Sequence, residues 1–450
     1  MRTPTAGWPS ITAAGLIGCF AAIVALAQCP PTVPVQGAAI PGPLPLFPPD
    51  NWWNLDVSAA PVDAASAAFI AFINNGGSRR LHPDFGGEAA PSGTAIYGMP
   101  YAIVDATQPK LPVTFDYANE SDGVDASGRG IAFYPIPAQA IGEPHWIEGG
   151  APGSVDQRSS NDRHLLLVDC TKRHLYELYN VHYNATQGRW YAGSGAFFDM
   201  SANGRRPDTW TSADAAGLAI LPGLVRYDEA WNPAVTEIRH AFRVTVRATN
   251  GYVFPASHRA GGTTGALPMG ARLRLKPLVN GQDPALRAGD PNVRKIFRAL
   301  QKYGLIVADN GSDLYVTGTF DTRWNNDLLN PAFAALTAGD FDVIRLGWNP
   351  AAAAPALATL ALLPARVVGG RSLFAVVTLT APAGGGGATV TLVSSDPALA
   401  ATPAAVVVPA GTTSAKAMVG TRPTRRDALA TLSATAGGVT RSMEFAITVR

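Results

Sequence analysis

Alternating apolar and polar positions dominate the chain between residues 51 and 350. Short β-branched and aromatic runs are separated there by Gly, Asn, Asp and Pro, a pattern typical of strands joined by tight turns. Representative runs are 100–105, 164–169, 174–182, 240–247, 271–276 and 313–318. The pattern predicts a mainly β domain with a large β-sandwich or jelly-roll-like fold.

Two stretches of this domain follow helical spacing instead. Residues 61–75 start with Pro and an acid and end before a Gly pair. In the second stretch Asp290 can cap the helix, Pro291 suits its first turn, and apolar residues recur at helical spacing up to Gly304. We therefore predict two accessory helices.

A separate module follows a linker at 349–355. Seven short alternating runs with Gly and Pro turns fill residues 355–450, which is the strand density of a β-sandwich. The segment resembles the bacterial immunoglobulin-like modules of exported proteins, and the resemblance implies a spacer or adhesive role without catalytic residues. The matching stretches are 367–370 (VVGG), 390–397 (VTLVSSDP) and 408–415 (VPAGTTSA).

The main domain, 51–350, also carries a resemblance. Its stretches 209–217 (TWTSADAAG), 221–229 (LPGLVRYDE) and 307–312 (VADNGS) are similar to those of a group of exported bacterial proteins. That resemblance assigns no activity, so any function must be argued from the residues.

The first 27 residues are typical of a signal peptide. They hold one charge, an uncharged stretch at 10–27 and a small-x-small cleavage site at 25–27. We expect a secreted or cell-surface protein whose mature chain has no transmembrane span, with an uncleaved membrane anchor as the alternative. Lipoprotein processing at Cys19 is disfavoured because apolar residues, rather than a polar tether, follow it.

Residues 28–50 are Pro-rich and predict an extended linker. Two cysteines remain after cleavage, Cys29 in this segment and Cys170 in an apolar run. We interpret them as a tail thiol and a buried thiol, with their pairing left open.

Charge and composition exclude some functions. The chain has a net charge of +2. The C-terminal module has eight Lys/Arg against three Asp/Glu, which is far from the dense basic surface that nucleic-acid binding needs. We find no phosphate-cradling Gly-rich loop and no Cys/His grouping for zinc.

The segment 205–229 predicts a long ordered loop that carries functional side chains. Cleavage of a glycosidic bond needs two carboxylates, one as acid and one as nucleophile or base. We predict Asp214 and Glu229 as that pair, with Asp162 and Asp309 in reserve, and turn or capping roles as the alternative. Further candidates in the loop are Asp228 for catalysis and Trp210, Arg226 and Tyr227 for substrate binding.

A second constellation would suit a polysaccharide lyase. Asn180 and His182 are spaced to share a strand face, and His164 precedes an apolar run. A lyase that acts on a uronic acid needs a group that neutralises the carboxylate, such as Arg or Asn, and a base such as His or Tyr. A solvated polar face is the alternative for these residues.

Two strands place their cations on one face each. Arg239, Arg243 and Arg247 alternate on the first strand, and Arg272, Arg274 and Lys276 alternate on the second. If the strands are neighbours, either acidic side chains or an anionic polymer must offset the repulsion. Both alternatives stay open, and the second makes Arg243, Arg272 and Arg274 substrate-binding residues.

The acids between Asp116 and Asp125 form a turn or a structural calcium site, although they do not match the twelve-residue calcium loop. We expect no other cofactor. The function we predict is an exported enzyme that cleaves a polysaccharide, as a glycoside hydrolase with an Asp/Glu acid–base pair. The alternatives are a lyase on an anionic glycan and a non-catalytic surface protein that binds a polysaccharide or cell-surface glycan.

Overall fold

The computed structural model describes residues 29–89, 94–154, 162–350, 355–383, 387–409 and 412–449. The predicted signal peptide, 1–27, lies outside the described residues, as do residues 351–354 of the predicted linker. The described chain is mainly β, as predicted, with several sheets and few helices.

The helices are α1 (Ser66–Asn74), α2 (Gln139–Gly142), α3 (Tyr227–Ala230), α4 (Pro291–Lys302) and α5 (Asn326–Phe333). The strands before residue 350 are β1 (Val35–Gln36), β2 (His82–Asp84), β3 (Tyr101–Val104), β4 (Val113–Phe115), β5 (Leu165–Asp169), β6 (His174–Tyr179), β7 (His182–Asn184), β8 (Arg189–Ala192), β9 (Ser194–Asp199), β10 (Phe242–Val246), β11 (Arg272–Leu275), β12 (Leu305–Asn310), β13 (Tyr315–Thr317) and β14 (Phe341–Val343).

A five-stranded sheet in the order β1-β3-β5-β6-β9 is buried on both faces. Leu166 and Val168 of β5 point into one core, while Leu165 and Leu167 point into another. This double burial explains why β5 is a continuous apolar run rather than an alternating one. A three-stranded sheet, β4-β8-β7, covers the second core through residues such as Val113.

A six-stranded mixed sheet, β14-β11-β12-β10-β13-β2, forms the other half of this part of the chain. Helix α4 packs on it, with Val293 and Phe297 fully buried in the shared core. Its start matches the prediction, because the Asp290 carboxylate accepts hydrogen bonds from the backbone of Asn292 and Val293. Helix α1 begins at Ser66, later than the predicted start.

The Pro-rich segment before residue 51 packs on the sheets, which corrects the prediction of a linker. Strand β1 pairs with β3, and the aromatic side chain of Phe47 is buried in a core. The thiol interpretation is also corrected, because Cys29 and Cys170 form a disulfide. This bond anchors the segment, called the N-terminal strap (residues 29–50), to the end of β5.

The C-terminal part is a sandwich with a core of its own. The strands are β15 (Leu357–Leu363), β16 (Arg366–Val368), β17 (Ser372–Leu379), β18 (Ala388–Ser394), β19 (Ala400–Ala401), β20 (Ala405–Val408), β21 (Ser414–Thr421), β22 (Ala428–Ala436) and β23 (Val439–Thr448). One sheet has the order β15-β17-β21-β19 and the other β16-β23-β22-β18-β20. The sequence pattern did not predict β15 or the two-residue β19.

Helix α5 was not predicted, because Pro331 interrupts its sequence pattern. Within the described ranges, no helix has both the length and the apolar character needed to cross a membrane.

Candidate functional site

A recess of about 440 Å³, called the acidic recess, lies between residues of the five-stranded and six-stranded sheets. Its walls combine several carboxylates with aromatic rings and hydroxyl groups. The lining residues are Tyr117, Glu120, Asp162, Tyr179, Ser194, Thr211, Ser212, Ala213, Asp214, Ala215, His258, Asp309 and Asn310.

The 205–229 loop supplies one wall of the recess, and it is ordered as predicted. Ala213 and Ile220 pack into the core of the five-stranded sheet, while Leu218 packs into the core of the six-stranded sheet. The loop therefore runs between the two sheets and is fixed by both.

Gly217 is required where this loop turns. Its φ of +72° is one that residues with a Cβ rarely adopt. A Cβ there would lie 2.0 Å from Ser257 Oγ and 2.7 Å from the Trp210 carbonyl oxygen. The hydroxyl of Ser257 donates to that same carbonyl at 2.9 Å, so the close approach is part of how the loop is held.

The buried carboxylate of Glu177 on β6 anchors the loop to the five-stranded sheet. Both Glu177 oxygens accept hydrogen bonds from the backbone N–H of Ile220 (2.9 and 3.0 Å), and one also accepts from Leu221. Burial raises the pKa of Glu177 to about 7, against the lowering effect of those N–H donors. Glu177 thus acts as a backbone anchor rather than as a group that faces the recess.

Arg243 on β10 joins the loop to the six-stranded sheet. Its Nε and Nη2 donate to the two oxygens of Asp214, each at 2.8 Å. Nη2 also donates to Asp309 Oδ2 at 3.1 Å, and Nη1 donates to Thr317 Oγ1 at 2.9 Å. Because Arg243 is only 3% exposed, these protein partners must satisfy its charge.

A β-bulge puts Asp309 on the same side as Arg243. In the parallel pairing of β10 and β12, Val244 aligns with Val307, but the next residue, Thr245, aligns with Asp309. The register thus skips one residue, and side-chain direction alternates along a strand. Without the bulge, Asp309 would share the inward face of Val307.

Asp309 has an unusual protonation equilibrium for an aspartate. Burial raises its pKa to about 6, the charge of Asp214 adds to the rise, and Arg243 opposes it. The side chain is still 25% exposed. The Asp309 carboxyl group can therefore gain and lose a proton near neutral pH while facing the recess.

His164 is a structural cation behind the recess wall. Its Nδ1 lies 2.5 Å from Glu148 Oε2, and its Nε2 lies 2.9 Å from the Ala213 carbonyl oxygen. Burial alone would lower the pKa of His164, but the charge and hydrogen bond of Glu148 raise it to about 9. As an imidazolium it donates through both nitrogens. The prediction of a catalytic base at His164 is not supported by these contacts.

The predicted pair Asp214 and Glu229 is not assembled. Asp214 lines the acidic recess, whereas Glu229 lines a separate cavity of about 110 Å³ under the N-terminal strap. Glu229 pairs with Arg226 at 2.7 Å and with His240 at 3.0 Å. Burial would raise the pKa of Glu229, but its contacts with Arg226 and His240 lower that pKa to about 2. These contacts indicate a structural carboxylate.

The other loop candidates are also engaged away from the recess. Arg226 donates to the Leu221 carbonyl in addition to Glu229, and it is 4% exposed. Asp228 pairs with Arg323 at 2.9 Å, and the Arg323 guanidinium lies 4.2 Å from the Tyr227 ring centre. Trp210 is half-buried beside Arg206 and does not line the recess, although its neighbour Thr211 does.

Asn180 and His182 do not share a strand face. Strand β6 ends at Tyr179, Asn180 has a left-handed φ of 54°, and β7 begins at His182. Asparagine tolerates this conformation better than most residues. The His182 ring stacks on Tyr191 with centroids 5.4 Å apart. The lyase constellation is therefore corrected, because the chain turns between its two members.

The two cationic strands are not neighbours, because β12 lies between β10 and β11. Arg243 and Arg272 both align with Ile306, so they do share a face. That face is covered, however, and Arg272 and Arg274 are 8% and 7% exposed. They donate to backbone carbonyls of residues 52–60. These contacts correct the prediction that Arg243, Arg272 and Arg274 bind substrate.

The acidic 116–125 segment forms a turn. Asp125 accepts from the backbone of Ser127 at 2.9 Å, and Asp122 accepts from Phe197 N at 2.8 Å while pairing with Arg206. Across the described part of the chain, no group of three His, Cys, Asp or Glu side chains could hold a metal ion. The segment contributes Tyr117 and Glu120 to the recess instead.

Sequence reasoning missed Tyr117, Glu120, Tyr179 and His258 of the recess and held Asp162 and Asp309 in reserve. Tyr179 is the last residue of β6, Glu120 is the last residue of a short 3-10 helix, and Tyr117 and His258 lie outside regular elements. The one usable sequence signal was an aromatic residue, Tyr117, within an acidic stretch.

Comparison with known proteins gives little further information. No family model matches the chain, and no curated protein matches it. Among solved structures, it is similar to the D00-D0 domain of Intimin, with 9% identity and a TM-score of 0.18 over 22% of this chain and 48% of that one. It is also similar to the D0-D1 domain of Intimin, with 12% identity and a TM-score of 0.19 over 22% of this chain and 50% of that one.

The match thus spans about half of each Intimin chain. Scores this low support no family or function, so the function of the site must be argued from its geometry.

Proposed function

We propose that the acidic recess binds a glycan and hydrolyses its glycosidic bonds, with Asp309 as the general acid and Asp162 as the second carboxylate. The observation that carries the proposal is a carboxyl group with a pKa near 6 in an open recess. A general acid works best when its pKa lies near the working pH.

The remaining wall suits a sugar ligand. Tyr117 and Tyr179 supply aromatic surface, on which sugar rings stack, and Asp162 is exposed at the recess. Two carboxylates in different environments are the arrangement that glycoside hydrolysis needs. Asp309 is shielded beside Arg243, whereas Asp162 faces solvent.

Export of the chain is consistent with this activity. The Cys29–Cys170 bond fits an oxidising compartment, where disulfides form and persist. Together with the predicted signal peptide, it supports a proposal that the protein acts outside the cytoplasm on a polysaccharide or cell-surface glycan.

The hydrolase proposal can be tested with Asp309→Asn and Asp162→Asn in a reducing-end assay on a panel of polysaccharides. We expect each variant to lose at least about a hundredfold in kcat. The wild-type rate should fall as the pH rises above about 6, because the acid must be protonated. Asp208→Asn, whose side chain is 62% exposed outside the recess, is the matched control.

Full activity in Asp309→Asn would show that Asp309 is not the general acid.

A second candidate function is glycan binding without cleavage. It is favoured by the fact that both Asp309 oxygens already accept hydrogen bonds, from Arg243 and from the backbone of Asn310. Binding of a glycan with no reducing ends released would support this second function.

A further inference from the structure

The serine and threonine hydroxyl groups in the wall of the acidic recess are already used as donors. Ser194 Oγ donates to the Ser212 carbonyl at 2.7 Å, and Ser212 Oγ donates to the Leu218 carbonyl at 2.6 Å. Thr211 Oγ1 donates to the Asp214 carbonyl at 3.2 Å. His258 Nδ1 lies 2.8 Å from the Ala215 carbonyl and donates to it. These side chains hold the loop and have little donor capacity left for a ligand.

Acceptor groups remain in the same wall. Glu120 uses one oxygen for the backbone N–H of Thr211, and Asp162 is exposed. The remaining Glu120 oxygen and the Asp162 carboxylate can therefore accept hydrogen bonds from a ligand in the recess.

The charge balance of the recess is negative. Among the described residues of its lining, four are acids and none is Lys or Arg. Arg243 behind the wall balances Asp214 and donates a hydrogen bond to Asp309, but the described lining holds no Lys or Arg beside Glu120 and Asp162. His164 behind the wall is paired with Glu148, and Arg206 is paired with Asp122. Anionic ligands would therefore be repelled.

We infer that the acidic recess selects a glycan that carries positively charged amino groups, namely a chain of glucosamine type with free amines. Such a ligand supplies ammonium and hydroxyl donors to a wall that mainly accepts, and its charge offsets Glu120 and Asp162. The inference rests on the proposed function for the choice of a glycan, and it excludes uronic acids and sulfated sugars.

Calorimetry of the full chain at about pH 5.5 can test this with three hexamers of equal length. These are β-1,4-linked glucosamine, its N-acetylated form and galacturonate. We expect the glucosamine hexamer to bind at least about tenfold more tightly than the acetylated one, a difference of about 1.4 kcal/mol. The difference should shrink with added salt, because screening weakens charge attraction.

Glu120→Gln and Asp162→Asn remove one charge each while keeping the shape of the side chain. Each variant should weaken binding of the glucosamine hexamer severalfold more than binding of the acetylated hexamer, so the ratio of the two affinities should fall. Asp208→Asn again serves as the control, and thermal unfolding of each variant checks that it is folded. Equal binding of the two glucosamine forms, tighter galacturonate binding, or no binding at all would overturn the inference.

The two proposals fail in different ways. If the glucosamine hexamer binds but is never cleaved, the hydrolase proposal falls and the charge preference stands. If only uncharged glycans bind and are cleaved, the hydrolase proposal stands and the charge preference falls.

Discussion

The buried acids of this protein differ in pKa because their partners differ. Glu229 contacts Arg226 and His240, and its pKa falls to about 2. Glu177 accepts only backbone N–H groups, which are weaker partners, and its pKa rises to about 7. Asp309 shares one cation with Asp214 and has a pKa of about 6. Burial acts to raise the pKa of all three carboxyl groups. Nearby cations oppose it to different extents, and they decide which carboxylates stay ionised.

His164 should make stability depend on pH above neutrality. Its pKa is about 9 in the fold against 6.5 as the ordinary value. A raised pKa means that this contribution is complete below pH 6.5 and is lost as the pH rises through 9. Urea unfolding should show a loss of roughly 3 kcal/mol between pH 6 and 10. His164→Gln should flatten that loss, and an unchanged slope would contradict the assignment.

Glu229→Gln should destabilise the fold, because Glu229 is a buried structural carboxylate outside the acidic recess. It leaves Arg226 and His240 buried without their shared carboxylate, at a cost of about 3–5 kcal/mol in urea unfolding. Because the Glu229 pKa is lowered, its contribution exists above pH 4.5 and is lost as the pH falls towards 2.

Glu237→Gln is the control for that change. Glu237 pairs with Lys302 at the surface and is 41% exposed, so its loss should cost under about 1 kcal/mol. Equal stability of the two variants would argue against a buried ion-pair role for Glu229.

Two irregular elements decide the shape of the larger part of the chain. The bulge in β12 turns Asp309 towards Arg243, and the N-terminal strap covers the five-stranded sheet. The strap also closes the cavity beside Glu229 through Leu44 and Pro45. Regular strands form the cores, while these interruptions position the polar groups.

The disulfide that holds the N-terminal strap should contribute strongly to the stability of the fold. Its cysteines are 141 residues apart in sequence, and closing so long a loop restricts the unfolded chain. The double variant Cys29→Ser, Cys170→Ser should lose about 2–5 kcal/mol of stability, measured by urea unfolding. The wild type in reducing agent should lose a similar amount. If neither change lowers stability, the bond does not hold the strap.

Regular elements with local signals could be predicted from the sequence. Helix α4 was predicted from Asp290 as its cap and from its apolar spacing, and β5 from its unbroken apolar run. The packing of the strap could not be predicted, because it depends on β3 and Cys170, which are distant in sequence. The bulge could not either, because nothing in the Val-Ala-Asp sequence at 307–309 differs from a regular strand.

At the scale of the whole molecule, the parts before and after residue 350 have separate hydrophobic cores. The sandwich of residues 355–449 is built around one cluster that includes Leu373 and Phe445, and no residue of the larger part belongs to it. Separate cores in the described chain indicate separate cooperative units.

Thermal unfolding by calorimetry should therefore show two transitions. The C-terminal transition should persist when Glu229→Gln lowers the other one, because the two cores share no described residue. A single transition that shifts as a whole would show that the two parts unfold together. The wild-type chain without substitution is the reference.

The sequence by itself determined the mainly β class, the C-terminal sandwich, two helices and the ordered 205–229 loop, since each depends on spacing within a short stretch. Tertiary structure alone decided which acids meet. Asp309, Asp162 and Glu120 come from distant stretches and line one recess, while Glu229 is drawn into a buried pair with Arg226 and His240. A buried charge takes the partner that the fold brings to it, and sequence distance carries no information about that partner.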